Sequence, residues 1–341
     1  MALMRTIKST LLYSLTLSAS AWAGTGFERL PVPGAQCGDG SEYSVYLRKR
    51  DPDKVLVYME GGGACWNSAT CFGPVNFTYL TDRHTPERGV FLSDDSARHA
   101  FHDYSLLFIP YCTGDFYVGH HSAQYGGKTV HHFGRSNVER SLAQIEDSHQ
   151  LLSKARDVVL YGESAGALGV IVSADIVESY VSPEANKVAV VDSAGLHFST
   201  SIWKRFSQAY MSDIHEALAL NAVAVDKSTG ILAPQMSGYC AKYRRWKVGF
   251  LQATQDVVMS WVFGNVTGPE HRARVLGKKG ILQNLADDRD NCSAWVNDSG
   301  RHVFFNSQGG WDRKSSSGLT AGKYVEALIA HRAGDQQPSY R

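Results

Sequence analysis

The chain has 341 residues, with 34 Lys and Arg against 33 Asp and Glu, a formal net charge of +1 and 43% hydrophobic residues. That apolar content excludes a disordered chain. The even charge balance, without a long basic run, excludes a protein built to hold nucleic acid. The 32 Gly and 10 Pro follow no collagen-like or linker-like period, so the length predicts one large globular domain.

The first 23 residues read as a signal peptide rather than as part of that domain. Arg5 and Lys8 precede an apolar stretch from Leu11 to Ala19, and Ala21-Trp22-Ala23 supplies the small-x-small cleavage pattern. The stretch falls short of the ~20 residues a spanning helix needs, and no later one is long and apolar enough. The expected organisation is a signal peptide over 1–23 and a domain over 24–341, secreted or periplasmic, monomeric and without stable membrane insertion. Cleavage removes two positive charges and leaves a net of −1.

All six cysteines follow that segment: Cys37, Cys65, Cys71, Cys112, Cys240 and Cys292. An even count in an exported chain predicts disulfides. Only Cys65 and Cys71, close together in one loop, are paired by spacing; the other four are expected in bridges of unassigned connectivity. No CxxC pair or helical HxxxH supports a metal site. The doublets His120-His121 and His131-His132 read as structural, because neighbours on an extended chain point opposite ways.

Five nearly continuous apolar runs then punctuate the chain: Val55–Met59, Leu106–Pro110, Val158–Tyr161, Val188–Val191 and Phe250–Ala253. Such runs are expected of parallel strands covered on both faces. A helix is predicted from Val138 to Ala155, capped by Ser136 with Glu139 completing a capping box. A second follows Ser164 and runs to Tyr180, and a last one covers Leu319–Arg332. Strand, helix and strand in succession predict an α/β fold with a mostly parallel central sheet. Residues 196–247 break the alternation with a helical pattern over Ile202–Leu220. They read either as a cap over one end of the sheet or as one long crossover.

Gly162-Glu163-Ser164-Ala165-Gly166 lies between the Val158 strand and the following helix. That context marks a G-x-S-x-G nucleophile elbow, whose glycines allow a strained turn and expose the Ser hydroxyl. A hydroxyl nucleophile needs a base, and the partners follow in the order Ser, acid, His. Three histidines follow the last apolar run. His271 lies in a charged stretch that reads as exposed helix, and His331 near the end of the terminal helix. His302 sits on a turn beside Val303-Phe304-Phe305 and is the expected base. Asp256 directly follows the Phe250 run and is the expected acid; Asp192, ending the Val188 run, is the alternative. Asp287, Asp288 and Asp290 read as a solvated charge run. For the oxyanion hole the expected donors are the Ala165 amide and the Glu60-Gly61-Gly62-Gly63 loop after the Val55 run, since bare glycines let the backbone approach a substrate. Neither cofactor nor metal is expected.

The stretches VLVYMEGGGACWN, FIPYCTGD, HHFGRSNV, VVLYGESAGALGV and VVDSAG, with the Asp256 and His302 regions, resemble the pectin acetylesterase/Notum family of serine carboxylesterases, and its bacterial members most closely. The resemblance implies an α/β-hydrolase fold, an esterase using Ser164, His302 and Asp256, and an oxyanion hole from the Gly62–Gly63 loop and the Ala165 amide. The expected substrate is an acylated polysaccharide or small ester; the alternatives are an esterase for lipid-type or polyester substrates and a non-catalytic binding protein of the same fold. Two departures are Ala167, where many relatives have a third glycine, and Ala64-Cys65-Trp66, where plant members place Trp before the Cys. The sequence also holds N-x-S/T sequons at Asn76, Asn265, Asn291 and Asn297.

Overall fold

The computed structural model describes residues 26–73, 78–82, 86, 99–226, 228–285 and 291–330. The signal segment, Asn76, the acidic run Asp287, Asp288 and Asp290, and His331 lie outside the described residues. The described residues include ten strands: β1 (Glu28–Gln36), β2 (Glu42–Arg48), β3 (Asp51–Met59), β4 (Tyr104–Ile109), β5 (His121–Tyr125), β6 (Lys128–His132), β7 (Asp157–Glu163), β8 (Asn186–Asp192), β9 (Trp246–Ala253) and β10 (Cys292–Asn297).

Eight of them form one sheet in the order β1-β2-β4-β3-β7-β8-β9-β10. The pairs β1–β2 and β2–β4 are antiparallel, and every later neighbour is parallel. The five apolar runs are the cores of β3, β4, β7, β8 and β9. Their side chains divide by strand alternation. Val57, Met59, Val158, Leu160 and Val191 pack on one face, and Leu56, Tyr58, Val159, Tyr161 and Val190 on the other. Both faces are covered by helices, so these strands show no polar alternation. β1, with Pro31 and Pro33, takes an edge of the sheet, where a strand lacking ladder donors fits.

The first long helix differs from the expectation. It runs over Gly134–His149, begins after Phe133, and has no side-chain cap of its own. Ser136 and Glu139 lie inside it. The capping is done from a distance, by Asp115 Oδ2, which accepts the Gly134 N–H at 2.6 Å. A buried carboxylate already fixed by the Tyr117 and Gly119 amides is a better acceptor there than a local hydroxyl. The helix then breaks at Gln150 in the left-handed region before the short turn Leu151–Lys154.

Residues 196–247 join β8 to its parallel neighbour β9 and carry the helices Thr200–Trp203, Gln208–Leu220 and Met236–Lys242. The middle one packs on the helix Ala165–Tyr180. Among the described residues the disulfides are Cys37–Cys112, Cys65–Cys71 and Cys240–Cys292. The sequons at Asn291 and Asn297 are engaged internally. Asn291 donates to three backbone carbonyls, and Asn297 is buried.

Candidate active site

β7 delivers its chain at Gly162-Glu163 to a turn on which Ser164 has φ 56° and ψ −119°. A non-glycine residue held there is strained. What holds it is close packing that only glycine permits. A Cβ on Gly166 would lie 2.1 Å from the Met59 carbonyl, and one on Gly162 would lie 2.2 Å from the Gly166 carbonyl. The Ser164 amide donates to the Asp192 carbonyl at 2.9 Å, and the helix Ala165–Tyr180 begins at the next residue.

The C-terminal ends of β9 and β10 bring two more of the expected residues together. Asp256 is fully buried after β9. Its Oδ1 accepts the Val258 and Met259 amides, each at 3.0 Å. Its Oδ2 lies 2.8 Å from His302 Nδ1. Ring and carboxylate are thus oriented before any substrate arrives. Ser164 Oγ is left without a hydrogen bond among the described residues.

Asp192 does not meet the His302 ring. Its Oδ2 accepts the backbone amides of Phe304 at 2.8 Å and Phe305 at 3.3 Å, and its Oδ1 accepts the Ser193 hydroxyl at 2.9 Å. Burial pushes its carboxyl up to about 6, although these donors pull the other way. His271 is buried instead of exposed, with Nδ1 2.7 Å from the Thr254 carbonyl. The charged stretch around it is the outer face of a helix opened by a Thr267–Glu270 capping box.

The glycine loop after β3 is held from behind. Thr78 donates to the Gly62 carbonyl and Tyr111 to the Gly63 carbonyl, both at 3.0 Å. Gly63 is left-handed, with φ 71°. The amides of Gly62 and Gly63 have no backbone acceptor among the described residues. Ala165 opens a helix, where the first N–H groups lack intrahelical partners. Cys65–Cys71 braces the same loop, and Cys65 N–H donates to the Gly114 carbonyl.

Sequence reasoning missed Glu163, the variable residue of the elbow. It receives the Tyr58 hydroxyl at 2.8 Å. Burial pushes its carboxyl up to about 8, with the Asp192 and Glu60 charges acting in the same direction against the Tyr161 and Tyr58 phenols. The histidine doublets serve as ties. Asp213, on the helix Gln208–Leu220, takes His121 Nδ1 at 2.6 Å and the His120 amide at 2.8 Å. Among the described residues no group of three or more His, Cys, Asp or Glu is arranged to hold a metal ion.

A family model described as Pectinacetylesterase matches residues 23–229. The chain belongs to the pectinacetylesterase family. It is 25% identical over 229 residues to palmitoleoyl-protein carboxylesterase NOTUM of Schmidtea mediterranea, covering 62% of this chain and 42% of that protein. Against pectin acetylesterase 11 of Arabidopsis thaliana it is 26% identical over 277 residues, covering 75% and 67%. The match to pectin acetylesterase 4 of the same plant covers 40% of that protein, so the chain spans about two fifths of the length of some curated relatives. The structure of the Wnt deacylase Notum from Drosophila superposes with a TM-score of 0.65 at 17% identity, over 93% of this chain and 96% of that one. This likeness shows the α/β-hydrolase fold. The family match includes the glycine loop, Ser164 and Asp192, and ends before Asp256 and His302.

Proposed function

We propose that the chain is an exported, monomeric serine carboxylesterase that removes acetyl or other short acyl groups from an acylated polysaccharide or small ester. The observation that carries this reading is the strained Ser164 turn at the same sheet edge as the pair of buried Asp256 and half-buried His302. In the reaction His302 Nε2 takes the Ser164 proton as Oγ attacks the ester carbonyl. Asp256 fixes the tautomer and stabilises the imidazolium. The oxyanion is met by the Ala165 amide and the Gly62–Gly63 amides. The alkoxide leaves with the proton from His302, and water, activated by the same ring, releases the acid.

An apolar pocket begins one turn beyond Ser164, at Leu168 and Val172, and is closed by Phe116, Phe198, Phe206 and Leu232. Its empty space is about 350 Å³, partly open to solvent. An acetyl group fits within that space. The wholly apolar lining also favours a second reading, a lipid-type acyl chain. Outside the pocket, Trp261 and Val257 are 74% and 54% exposed on the turn after Asp256. An apolar rim of this kind fits the face of a neutral sugar ring. Three disulfides support export to an oxidising compartment.

The test is acetate release from acetylated polysaccharides beside p-nitrophenyl esters of rising chain length. Activity is expected to persist with chelator, to vanish in Ser164→Ala, and to fall as the acyl chain lengthens. Full activity in Ser164→Ala, or metal-dependent recovery after chelation, refutes the mechanism.

A further inference from the structure

We infer that Asp192 and Ser193 form a clamp that positions the His302 loop, acting on its backbone rather than on its ring. The inference rests on the esterase reading above. Three consecutive amides following His302 are captured by two consecutive side chains. Val303 N–H donates to Ser193 Oγ at 3.2 Å, and the Phe304 and Phe305 amides donate to Asp192 Oδ2. Ser193 in turn donates to Asp192 Oδ1, so each acceptor fixes the other. Both residues are wholly buried, as are Phe304 and Phe305.

The clamp is needed because the loop is strained where it turns. Val303 has φ 56°, a left-handed conformation that a β-branched side chain rarely adopts. Ser193 itself has φ 62°, which aims its hydroxyl at the loop, and its amide is pinned to the Leu251 carbonyl of β9. Arg301 secures the far side through Nε to the Val303 carbonyl at 2.9 Å. The same Asp192 whose carboxylate holds the His302 loop also receives the Ser164 amide on its backbone carbonyl. One residue therefore sets the spacing between nucleophile and base. Asp256 orients the ring, and Asp192 with Ser193 places the backbone from which the ring hangs.

Ser193→Gly tests this, because glycine favours the left-handed backbone and the hydroxyl is lost together with its Cβ. With p-nitrophenyl acetate, kcat is expected to fall about tenfold to a hundredfold while KM stays within about twofold, as a misplaced catalytic group dictates. Labelling of Ser164 by a fluorophosphonate should slow in parallel. Adding Val303→Gly to Ser193→Gly should return much of the lost kcat, since glycine holds the turn unaided; Val303→Gly alone gives the packing baseline. Asp192→Asn should lower kcat in the same direction, with Ser193→Gly deciding should that variant not fold. Near wild-type kcat in Ser193→Gly, or a loss that Val303→Gly does not relieve, overturns the clamp. Absence of esterase activity and of labelling in the wild-type chain would instead retire the functional reading beneath it.

Discussion

Replacing Glu163 by Gln should change how stability responds to pH. The carboxyl is buried behind the Ser164 turn and raised to about 8 from an ordinary value of 4.5. A raised carboxyl keeps its proton in the folded chain after the unfolded chain has lost it. Stability therefore falls as pH climbs from about 4.5 to about 8, and levels off above. At about 1.4 kcal/mol per pH unit, the full shift sets a ceiling of about 5 kcal/mol. Gln keeps the shape and an oxygen for the Tyr58 hydroxyl but has nothing to ionise. Urea unfolding with disulfides intact, at pH 5, 6, 7 and 8, reads the difference between the two proteins. The Gln variant should gain on wild type at each step, with Asp192, raised to about 6 in the wild type, retained in both. A difference that stays constant across this range refutes the assignment of a protonated, buried Glu163.

Asp256→Asn should leave the fold intact and lower kcat on p-nitrophenyl acetate by about 10⁴, the loss typical of a wrong imidazole tautomer; a change under tenfold would remove Asp256 from the mechanism. Gly61→Ala places a Cβ 2.6 Å from the Glu163 carbonyl and 3.2 Å from Ser164 Cβ, so steady-state assays should show kcat falling more steeply than melting temperature. Gly166→Ala puts its Cβ 2.1 Å from the Met59 carbonyl, and loss of the folded state itself is expected by circular dichroism. Replacing both Cys65 and Cys71 by Ser should cost about 2 kcal/mol in urea unfolding, the loop-closure value for so short a loop, and should lower kcat by loosening the glycine loop.

The central strands were legible because burial on both faces leaves uninterrupted apolar runs, and the elbow because Ser164 sits between such a run and a helix. Asp256 and His302 were legible as positions, through chain order and the turn residues around them. What stayed hidden depends on partners distant in sequence. The Gly134 helix is capped by Asp115, nineteen residues upstream, while the local Ser136–Glu139 pattern caps nothing. β1 carries two prolines that argue against a strand until an edge position is known. His271 sits among charges that belong to the opposite face of its helix. Asp192 could be recognised at a strand end, but whether it met a ring or a backbone was a matter of angle, which no spacing encodes.

The strand order also distributes the working residues unequally between interior and margin. Ser164 leaves β7, which has β3 and β8 on its flanks, whereas His302 leaves β10, an outermost strand paired only with β9. Margins of a sheet open at lower free energy than its middle. Amide exchange should accordingly be faster along β10 than along β7. Under mild denaturant the His302 turn should open while the Ser164 turn is still intact, so that fluorophosphonate labelling fades ahead of global melting. The bonds from Asp192 to the Phe304 and Phe305 amides cross that gradient. They tie the fringe that carries the histidine to the most protected strands of the protein.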